Sequence, residues 1–246
     1  MMTTILTDLA KYDTPTISNS IELFQVRPHS AGYTNHAIRC CFERLPPMVG
    51  YACTATYRAS APPASDGASK SGCASKAVAD LVALFAALPG PPVVVFQDLD
   101  EPPAAASVGE VACWTYKSFG AAGMITSGAA RDLEQVEALD FPIFAGSAIC
   151  SHGYGHLTSI GRPVEVGGLT IRQGDLLHGD RNGIVLIPHK IAGRVAQVAA
   201  AIVEAEKPVI HYLKTSKRPT VEGYRAVIRE MQAVCEEVRT RIVAAS

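Results

Sequence analysis

The chain has 246 residues, 48% of them apolar, which is enough to bury a substantial core. Its 22 basic and 23 acidic residues give a formal net charge of -1 at pH 7, so no net positive field attracts nucleic acid or an anionic membrane. The apolar runs are too short to span a bilayer, and the first residues lack the basic and apolar regions of a secretory signal. We therefore expect a cytoplasmic globular protein with no nucleic-acid or membrane partner.

The first half of the chain alternates predicted helices and strands. Two short helices, over residues 5–11 and 18–24, flank a turn at Asp13-Thr14-Pro15, where the proline ends the first helix and leads into the second. The elements predicted after them are a strand over 51–57, a loop over 59–73, a helix over 76–88, a strand over 92–97, a helix from about 107 to 119 and a strand over 123–126.

Beyond residue 141, short strands punctuated by glycine replace this alternation. They are predicted over 143–145, 163–166, 169–172, 175–178 and 184–187, and Asn182-Gly183 indicates a hairpin between the last two. Helix is predicted from His189 onward, with breaks at Pro208 and Pro219. This order predicts a layered α/β sandwich with a mixed sheet, and we find no linker that would divide residues 1–246 into two domains.

Cysteine and histidine residues give weak functional signals. We expect the cysteines to be reduced and buried as small apolar side chains, because they form no Cys-x-x-Cys pair and no zinc-ligand spacing. Cys150 precedes Ser151-His152 but has no other cationic neighbour, so a catalytic thiolate is not favoured. His152 and His156 flank a polar glycine-rich segment, where they either contact a ligand or are simply solvated. The seven cysteines are at positions 40, 41, 53, 73, 113, 150 and 235.

The most informative pattern is Glu110, followed after twenty residues by Arg131-Asp132. It places two carboxylates and one guanidinium at the ends of a helix–strand pair, and these groups can hold a divalent cation beside an α-keto acid. For Glu110 a structural role is also open, because Ser107-x-x-Glu110 fits a capping box that satisfies the first helix amides. In the functional interpretation, Gly109 leaves the amides of residues 110–112 accessible to a ligand carboxylate at the positive end of the helix.

The Arg131-Asp132 pair allows two interpretations as well. It follows a predicted strand and opens the next helix, so both residues lie at the carboxyl end of a strand, where ligand sites of α/β proteins gather. The structural alternative is that Asp132 caps the helix while Arg131 pairs with a surface carboxylate. A second acidic stretch, over residues 174–183, is interpreted mainly as turn chemistry.

At these residues the chain resembles the class II pyruvate aldolases that cleave 4-hydroxy-4-methyl-2-oxoglutarate, together with the regulator of ribonuclease activity A. The signature of the catalytically competent members is Asp or Glu, twenty residues, then Arg-Asp, and this chain matches it without a gap. The resemblance covers roughly residues 13–215, with matching segments at 14–23, 49–54, 109–110, 141–145, 163–168 and 174–185. It implies an αββα sandwich with mixed sheets, of the swivelling-domain type, that assembles as a homotrimer or a homohexamer.

The resemblance also implies a metal-dependent lyase that acts on pyruvyl substrates. Its reaction would be retro-aldol cleavage of a 4-hydroxy-2-oxo acid or decarboxylation of oxaloacetate, through a metal-stabilised pyruvate enolate. Asp132 would bind Mg²⁺ or Mn²⁺, Glu110 would hold the water shell of the metal, and Arg131 would pair with the keto-acid oxygens. The substrate-binding residues implied are Arg131, Gly109 and the amides of Val111 and Ala112, which would take the pyruvyl carboxylate.

The chain departs from the family pattern in three places. Asn19 stands where the family often has an aspartate. A late-helix glutamate from a neighbouring subunit fits Glu206 best, with Glu204 as an alternative, although Pro208 interrupts that helix. The segment over 152–156 and a helical extension over about 208–246 are additions, so we expect a different acceptor-side substrate.

Two other functions occur among proteins of this kind. The alternative to an enzyme is a non-enzymatic regulator that docks on a partner protein, as the ribonuclease regulator does. The complete acidic-x20-Arg-Asp set favours the enzyme, because a binding protein need not keep a metal carboxylate. A methyltransferase is not supported, because the glycine-bearing run over 120–128 leads from a helix into a strand, the reverse of a nucleotide-binding loop.

Overall fold

The protein is described over residues 2–63 and 72–244 by a computed structural model. Its α-helices in that part of the chain are α1 (Met2–Leu9), α2 (Thr14–Leu23), α3 (Gly72–Ala83), α4 (Glu110–Ser118), α5 (Leu133–Glu137), α6 (Ala192–Thr215) and α7 (Val221–Ala244), and a 3-10 turn covers Leu84–Ala87. The strands are β1 (Arg39–Cys40), β2 (Met48–Arg58), β3 (Pro92–Asp98), β4 (Ala106–Val108), β5 (Gly123–Thr126), β6 (Ala129–Ala130), β7 (Ile143–Ala145), β8 (Ser147–Ala148), β9 (His156–Ile160), β10 (Val164–Val166), β11 (Leu169–Ile171), β12 (Leu176–Asp180) and β13 (Gly183–Ile187).

The main sheet is mixed, in the order β1-β7-β5-β3-β2-β12-β13, and β9 pairs with the far half of β2. Strands β2, β3, β5 and β7 are parallel, whereas β1, β9, β12 and β13 pair antiparallel. Strands β4, β6 and β8 form a separate parallel sheet, and β10 and β11 form a hairpin. This mixed α/β architecture confirms the predicted fold class.

Helices cover the main sheet from two sides. On one side α2 packs on β12 and β13, and α1 packs on β2 and α6. Leu9, Val195 and Ile187 are fully buried in the core cluster of this side. On the other side α4 packs on β3, where the rings of Phe96 and Tyr116 meet edge to face. A layered sandwich of this kind buries one face of each helix and both faces of the central strands.

Several predicted boundaries need correction. The helix predicted from 107 begins at Glu110, because the residues before it form β4. The helix predicted over 76–88 already begins at Gly72 and gives way to the 3-10 turn after Ala83. The predicted loop over 59–73 lies partly outside the described residues. The polar segment around His156 is in fact the start of β9, a strand that the sequence pattern did not indicate.

The break predicted at Pro208 is wrong. Helix α6 continues through this proline to Thr215. A proline inside a helix removes one backbone hydrogen bond and costs about 3 kcal/mol, which the packing of α6 against its neighbours must offset. Helix α7 packs back along α6, with Ile242 buried between Val198 and Ile202, and Pro219 lies in the turn that joins them.

Most cysteines are at least partly buried, as predicted, but Cys150 is exposed. Burial raises the pKa of the Cys53 thiol to about 11 and that of the Cys113 thiol to about 12, so both are neutral near pH 7. Within the described residues, no helix is both long and apolar enough to cross a bilayer.

Candidate active site

Two neighbouring parallel strands bring the Glu110 and Arg131-Asp132 motif together. Strand β4 pairs with β6 in the register Ala106 with Ala129 and Val108 with Ala130. Beyond the register, the Arg131 amide donates to the Val108 carbonyl at 3.0 Å. The twenty intervening residues hold α4, β5 and β6, which form one crossover from the end of β4 to the end of β6. Both halves of the motif therefore lie at the same edge of the small sheet.

Asp132 is held in an unusual backbone conformation at this edge. It has φ 55° and ψ 39°, the left-handed region that aspartate tolerates better than most residues. Its Oδ2 accepts a hydrogen bond from the Glu110 amide at 3.1 Å and lies 3.7 Å from Nε of Arg131. The two side chains are 34% and 35% exposed. Within the described residues no hydrogen bond or ion pair involves Oδ1, so one oxygen is available to a ligand.

Gly109 makes room for this arrangement. A Cβ atom at this position would lie 2.6 Å from Oδ2 of Asp132 and 3.0 Å from Cγ of Arg131. The φ of Gly109 is -158°, an extended value that any residue adopts, so the requirement concerns space and not backbone strain. The glycine therefore allows the carboxylate to reach the start of α4.

The first turn of α4 offers two backbone donors beside the carboxylate. The first hydrogen bond back to the helix start is donated by the Cys113 amide to the Gly109 carbonyl at 3.1 Å. The amides of residues 110–112 precede it and have no helical acceptor. Because Asp132 occupies the Glu110 amide, the amides of Val111 and Ala112 are left to bind an anion at the positive end of the helix.

The capping-box interpretation of Ser107 and Glu110 is wrong. Ser107 lies in β4, and its hydroxyl shares a hydrogen bond of 2.7 Å with the hydroxyl of Thr126. It also donates to the Ala129 carbonyl at 3.3 Å. Gly109 occupies the cap position. The carboxylate of Asp132 accepts a hydrogen bond from the Glu110 amide at the helix start, as the side-chain oxygen of a cap residue would do for an early helix amide.

A cleft of about 820 Å³ opens beside the motif. Its polar end includes Gly109, Arg131 and His152, whereas helices α3 and α4 contribute an apolar wall. Tyr57 closes the floor: its hydroxyl donates to the Ala106 carbonyl at 3.0 Å, and burial raises its pKa to about 12. This volume is in the usual range for small-molecule sites.

The structure does not bring every predicted residue to this cleft. Arg131, Gly109, Val111 and Ala112 line it, whereas Glu110 and Asp132 adjoin the lining residues without being among them. His152 lines it, but His156 lies in β9 and its Nδ1 contacts the Tyr154 carbonyl. Glu206 is half-buried on α6 of the same chain, and the pKa of Cys235 in α7 is raised by burial and, to a smaller extent, by the charge of Glu206. Asn19 is exposed on α2, outside the cleft lining.

Sequence reasoning missed Tyr57 and Asp98. Asp98 ends β3, and its Oδ2 is buried with no hydrogen-bond partner in the described part of the chain. Burial raises the pKa of this carboxyl group. A Cβ on Gly128 would lie 2.3 Å from that oxygen, so a second glycine allows a second carboxylate to approach closely. The available signal was an aspartate directly after a buried strand, the edge where ligand sites of α/β proteins gather.

The donor atoms at the motif fit a cation that needs few protein ligands. Among the described residues, no three His, Cys, Asp or Glu side chains lie close enough to hold a metal ion together. Mg²⁺ is commonly bound through one or two carboxylates and keeps several waters. The available oxygen of Asp132, with Glu110 beside it at the start of α4, fits that coordination and does not fit a zinc-type site with three or more side-chain ligands.

Known proteins share this fold and part of this sequence. A protein of Halalkalibacterium halodurans, provisionally named 4-hydroxy-4-methyl-2-oxoglutarate aldolase, is 35% identical over 123 residues, which are 50% of this chain and 58% of that protein. The chain spans about half the length of the first curated relatives that it matches. An uncharacterized protein of Pseudomonas syringae pv. tomato superposes with a TM-score of 0.69 at 21% identity, covering 92% of this chain and 94% of that one.

A second solved structure is the Streptomyces coelicolor protein RraAS2, described as an unusual member of the RNase ES inhibitor RraA protein family. It superposes with a TM-score of 0.61 at 18% identity, covering 86% of this chain and 96% of that one. At these identities the superpositions show a shared fold. The family model described as RraA-like, Aldolase/RraA, matches residues 14–186, and this chain belongs to that family.

Proposed function

We propose that the protein is a divalent-metal-dependent lyase that acts on pyruvyl substrates, cleaving a 4-hydroxy-2-oxo acid or decarboxylating oxaloacetate. The observation that carries this proposal is the convergence of Asp132, Arg131 and the free amides of α4 around the space left by Gly109. Family membership and the name of the 35% identical relative support the same class of reaction.

The residues of the motif suit a reaction that leaves negative charge on a keto acid. In retro-aldol cleavage the bond between C3 and C4 breaks, the C4 hydroxyl loses its proton to become a carbonyl, and the electron pair forms an enolate that takes a proton at C3 to give pyruvate. In oxaloacetate decarboxylation the same bond breaks and carbon dioxide leaves. The amides of Val111 and Ala112 would bind the C1 carboxylate, while Arg131 would place positive charge beside the C2 oxygen as the enolate forms.

A Mg²⁺ or Mn²⁺ ion, when bound, supplies Lewis-acid stabilisation for that enolate. Asp132 would hold the ion through its available oxygen, and Glu110 would hydrogen-bond the waters of the ion. We further propose that the enzyme is a homotrimer or homohexamer in which Glu206 of a neighbouring copy completes the site. Within one chain this glutamate is near Cys235 and outside the cleft lining, so in this proposal a second copy of the chain would supply it.

The first experiment follows pyruvate release from oxaloacetate by the purified protein with Mg²⁺ or Mn²⁺, and then with a chelator. We expect turnover well above the metal-only background, lost with the chelator and in Asp132→Ala. In Arg131→Ala we expect turnover to be lost while weak metal binding, measured by calorimetry, is retained. Turnover of Asp132→Ala at the wild-type rate would show that the site assignment is wrong.

A second candidate function is a protein-binding regulator. One observation favours it: α4 exposes Trp114 and Phe119, which are 52% and 61% accessible, beside the cleft. Exposed aromatic side chains are frequent anchors of protein interfaces. If neither oxaloacetate nor any 4-hydroxy-2-oxo acid is turned over, a pull-down compared between the native protein and Trp114→Glu tests this candidate.

A further inference from the structure

The cleft beside Arg131 changes character along its length. Gly109 and Arg131 line it at the start of α4, whereas Val78 and Val82 of α3 and Phe119, directly after α4, add apolar lining. We infer that the non-pyruvyl half of the substrate is uncharged and apolar, such as an aryl or branched alkyl group on C4 of a 4-hydroxy-2-oxo acid. This inference rests on the proposed pyruvyl-lyase function and specifies which substrates that site takes.

The cleft has few side chains that could pair with a second carboxylate of a substrate. Of the described residues that line the cleft, only Arg131 and His152 have side chains that can be cationic. In the proposed function Arg131 is engaged at the keto-acid end, and the hydroxyl group of Tyr57 is neutral. A second carboxylate, as in 4-hydroxy-4-methyl-2-oxoglutarate, would therefore find no cationic side chain except His152 among the described residues of the cleft, whose other polar side chains, Ser107, Thr115 and Tyr57, are neutral. A carboxylate gains no ion pair along this wall, whereas an apolar substituent gains contact with side chains that are otherwise exposed to water, such as Phe119.

The shape of the cleft also favours an apolar substituent on C4. Its volume of about 820 Å³ far exceeds the needs of a three-carbon pyruvyl group, and the apolar wall is continuous with the first turn of α4 that would bind this group. A substrate fixed at its C1 carboxylate by the amides of Val111 and Ala112 therefore extends its C4 substituent along this wall. Removal of apolar surface of both partners from water favours that placement.

Binding measurements can separate the contribution of the keto-acid head from that of the tail. We would measure by calorimetry, with Mg²⁺ present, the affinities of 2-oxo-4-phenylbutanoate and 2-oxoglutarate, which share the keto-acid head and differ in the tail. We expect the phenyl compound to bind at least about tenfold more tightly. Equal affinities, or tighter binding of 2-oxoglutarate, would overturn the inference.

A positive charge placed in the apolar wall should weaken the preference for an apolar substituent. Phe119 lies at the C-terminal end of α4 and is 61% exposed, so Phe119→Lys is compatible with folding, and a cation there is favourable to the helix dipole. We expect the kcat/KM ratio of 4-hydroxy-2-oxo-4-phenylbutanoate to 4-hydroxy-4-methyl-2-oxoglutarate to fall at least about tenfold in this variant. The matched control is Val221→Lys, an exposed apolar residue at the start of α7, which should leave this ratio and oxaloacetate decarboxylation unchanged.

Each outcome of these experiments decides something different. Oxaloacetate decarboxylation with a preference for the dicarboxylate, or with a ratio that Phe119→Lys does not change, overturns the inference and leaves the proposed function intact. Absence of any pyruvyl chemistry and of keto-acid binding removes both. If Phe119→Lys dissociates an oligomer while the substrate ratio stays constant, the apolar wall is covered by a second copy of the chain, and the inference is wrong.

Discussion

Two aspartates of this protein make the same kind of hydrogen bond in opposite surroundings. Oδ2 of Asp132 accepts from the Glu110 amide at 3.1 Å, and Oδ2 of Asp180 accepts from the Thr14 amide at 2.9 Å. Asp180 is 8% exposed, and its second oxygen accepts from the backbone and side-chain nitrogens of Asn182. Asp132 is 34% exposed, and its second oxygen has no partner among the described residues.

The difference shows what each carboxylate can do. Asp180 has its acceptor capacity satisfied inside the protein, and it ties the β12–β13 hairpin to the start of α2. Its neighbour His178 is fully buried between the Thr14 hydroxyl and the Leu9 carbonyl of the same helical layer. Buried polar groups of this kind stabilise a fold, because a buried donor or acceptor that loses its hydrogen-bond partner lowers the stability of the protein. Asp132 has one oxygen without a partner among the described residues, next to Arg131, which lines the cleft, so this carboxylate is the one that we propose for ligand binding.

The sharpest test of this comparison is Asp132→Asn. Asparagine tolerates the left-handed backbone and can still accept from the Glu110 amide, so the free energy of unfolding should change by less than about 0.5 kcal/mol. If the proposed function holds, we expect kcat/KM for oxaloacetate to fall about 1000-fold, because an oxygen of the carboxylate proposed to bind the metal is lost. Urea unfolding and steady-state kinetics on the same preparation measure both effects. A variant that loses stability but retains activity would place Asp132 with the structural aspartates.

Asp180→Ala should show the opposite pattern. It leaves the buried Thr14 amide without its acceptor and removes the acceptor of the exposed Asn182, so we expect the free energy of unfolding to fall by about 2 kcal/mol. The fraction of protein that remains folded should turn over substrate at the wild-type rate. Denaturant melts combined with active-site titration check this prediction. A large loss of kcat at unchanged stability would contradict it.

Gly109→Ala tests whether space at the start of α4 positions the carboxylate. The added Cβ would lie 2.6 Å from Oδ2 of Asp132, so the aspartate must move. Displacements of this size cost about 100-fold in rate, and we expect kcat/KM to fall by about that factor. The control is Gly193→Ala in α6, where the new Cβ would lie 3.8 Å from the nearest side-chain atom. If the two alanine variants have equal kcat/KM values, the space at Gly109 does not position the Asp132 carboxylate for the reaction.

The smallest expected effect is a pH dependence of stability from His178. Burial lowers the pKa of this histidine below its ordinary value of 6.5, against the opposing charges of Asp180 and Asp13. The unfolded chain therefore binds more protons in acid, and the contribution is complete above pH 6.5 and is lost as the pH falls toward the folded pKa. The slope is at most about 1.4 kcal/mol per pH unit for one proton. Replacement of His178 by Asn should reduce the change of the melting temperature with pH between pH 6.5 and 4.5. If the melting temperature of this variant changes with pH as much as that of the native protein, His178 is not the source of the dependence.

The sequence by itself determined which residues form the motif. Glu110 and Arg131-Asp132 were identified from their spacing, and the strands over 123–126 and 143–145 were predicted with the bounds that the structure has. These features are local, since apolar runs, glycines and prolines act within a few residues of the chain. The hairpin at Asn182-Gly183 was predicted for the same reason and is confirmed.

Only the tertiary structure decided how these residues are used. Ser107 and Glu110 fit a capping box by spacing, but Ser107 bonds to Thr126 nineteen residues later, and Gly109 and Asp132 replace it at the helix start. The acidic stretch over 174–183 was interpreted as turn chemistry. In the structure, Asp180 also accepts a hydrogen bond from the Thr14 amide, which is 166 residues away in the sequence. Contacts of this length depend on the order of strands in the sheet. The order is set by burial of many side chains at once, which no short segment of sequence records.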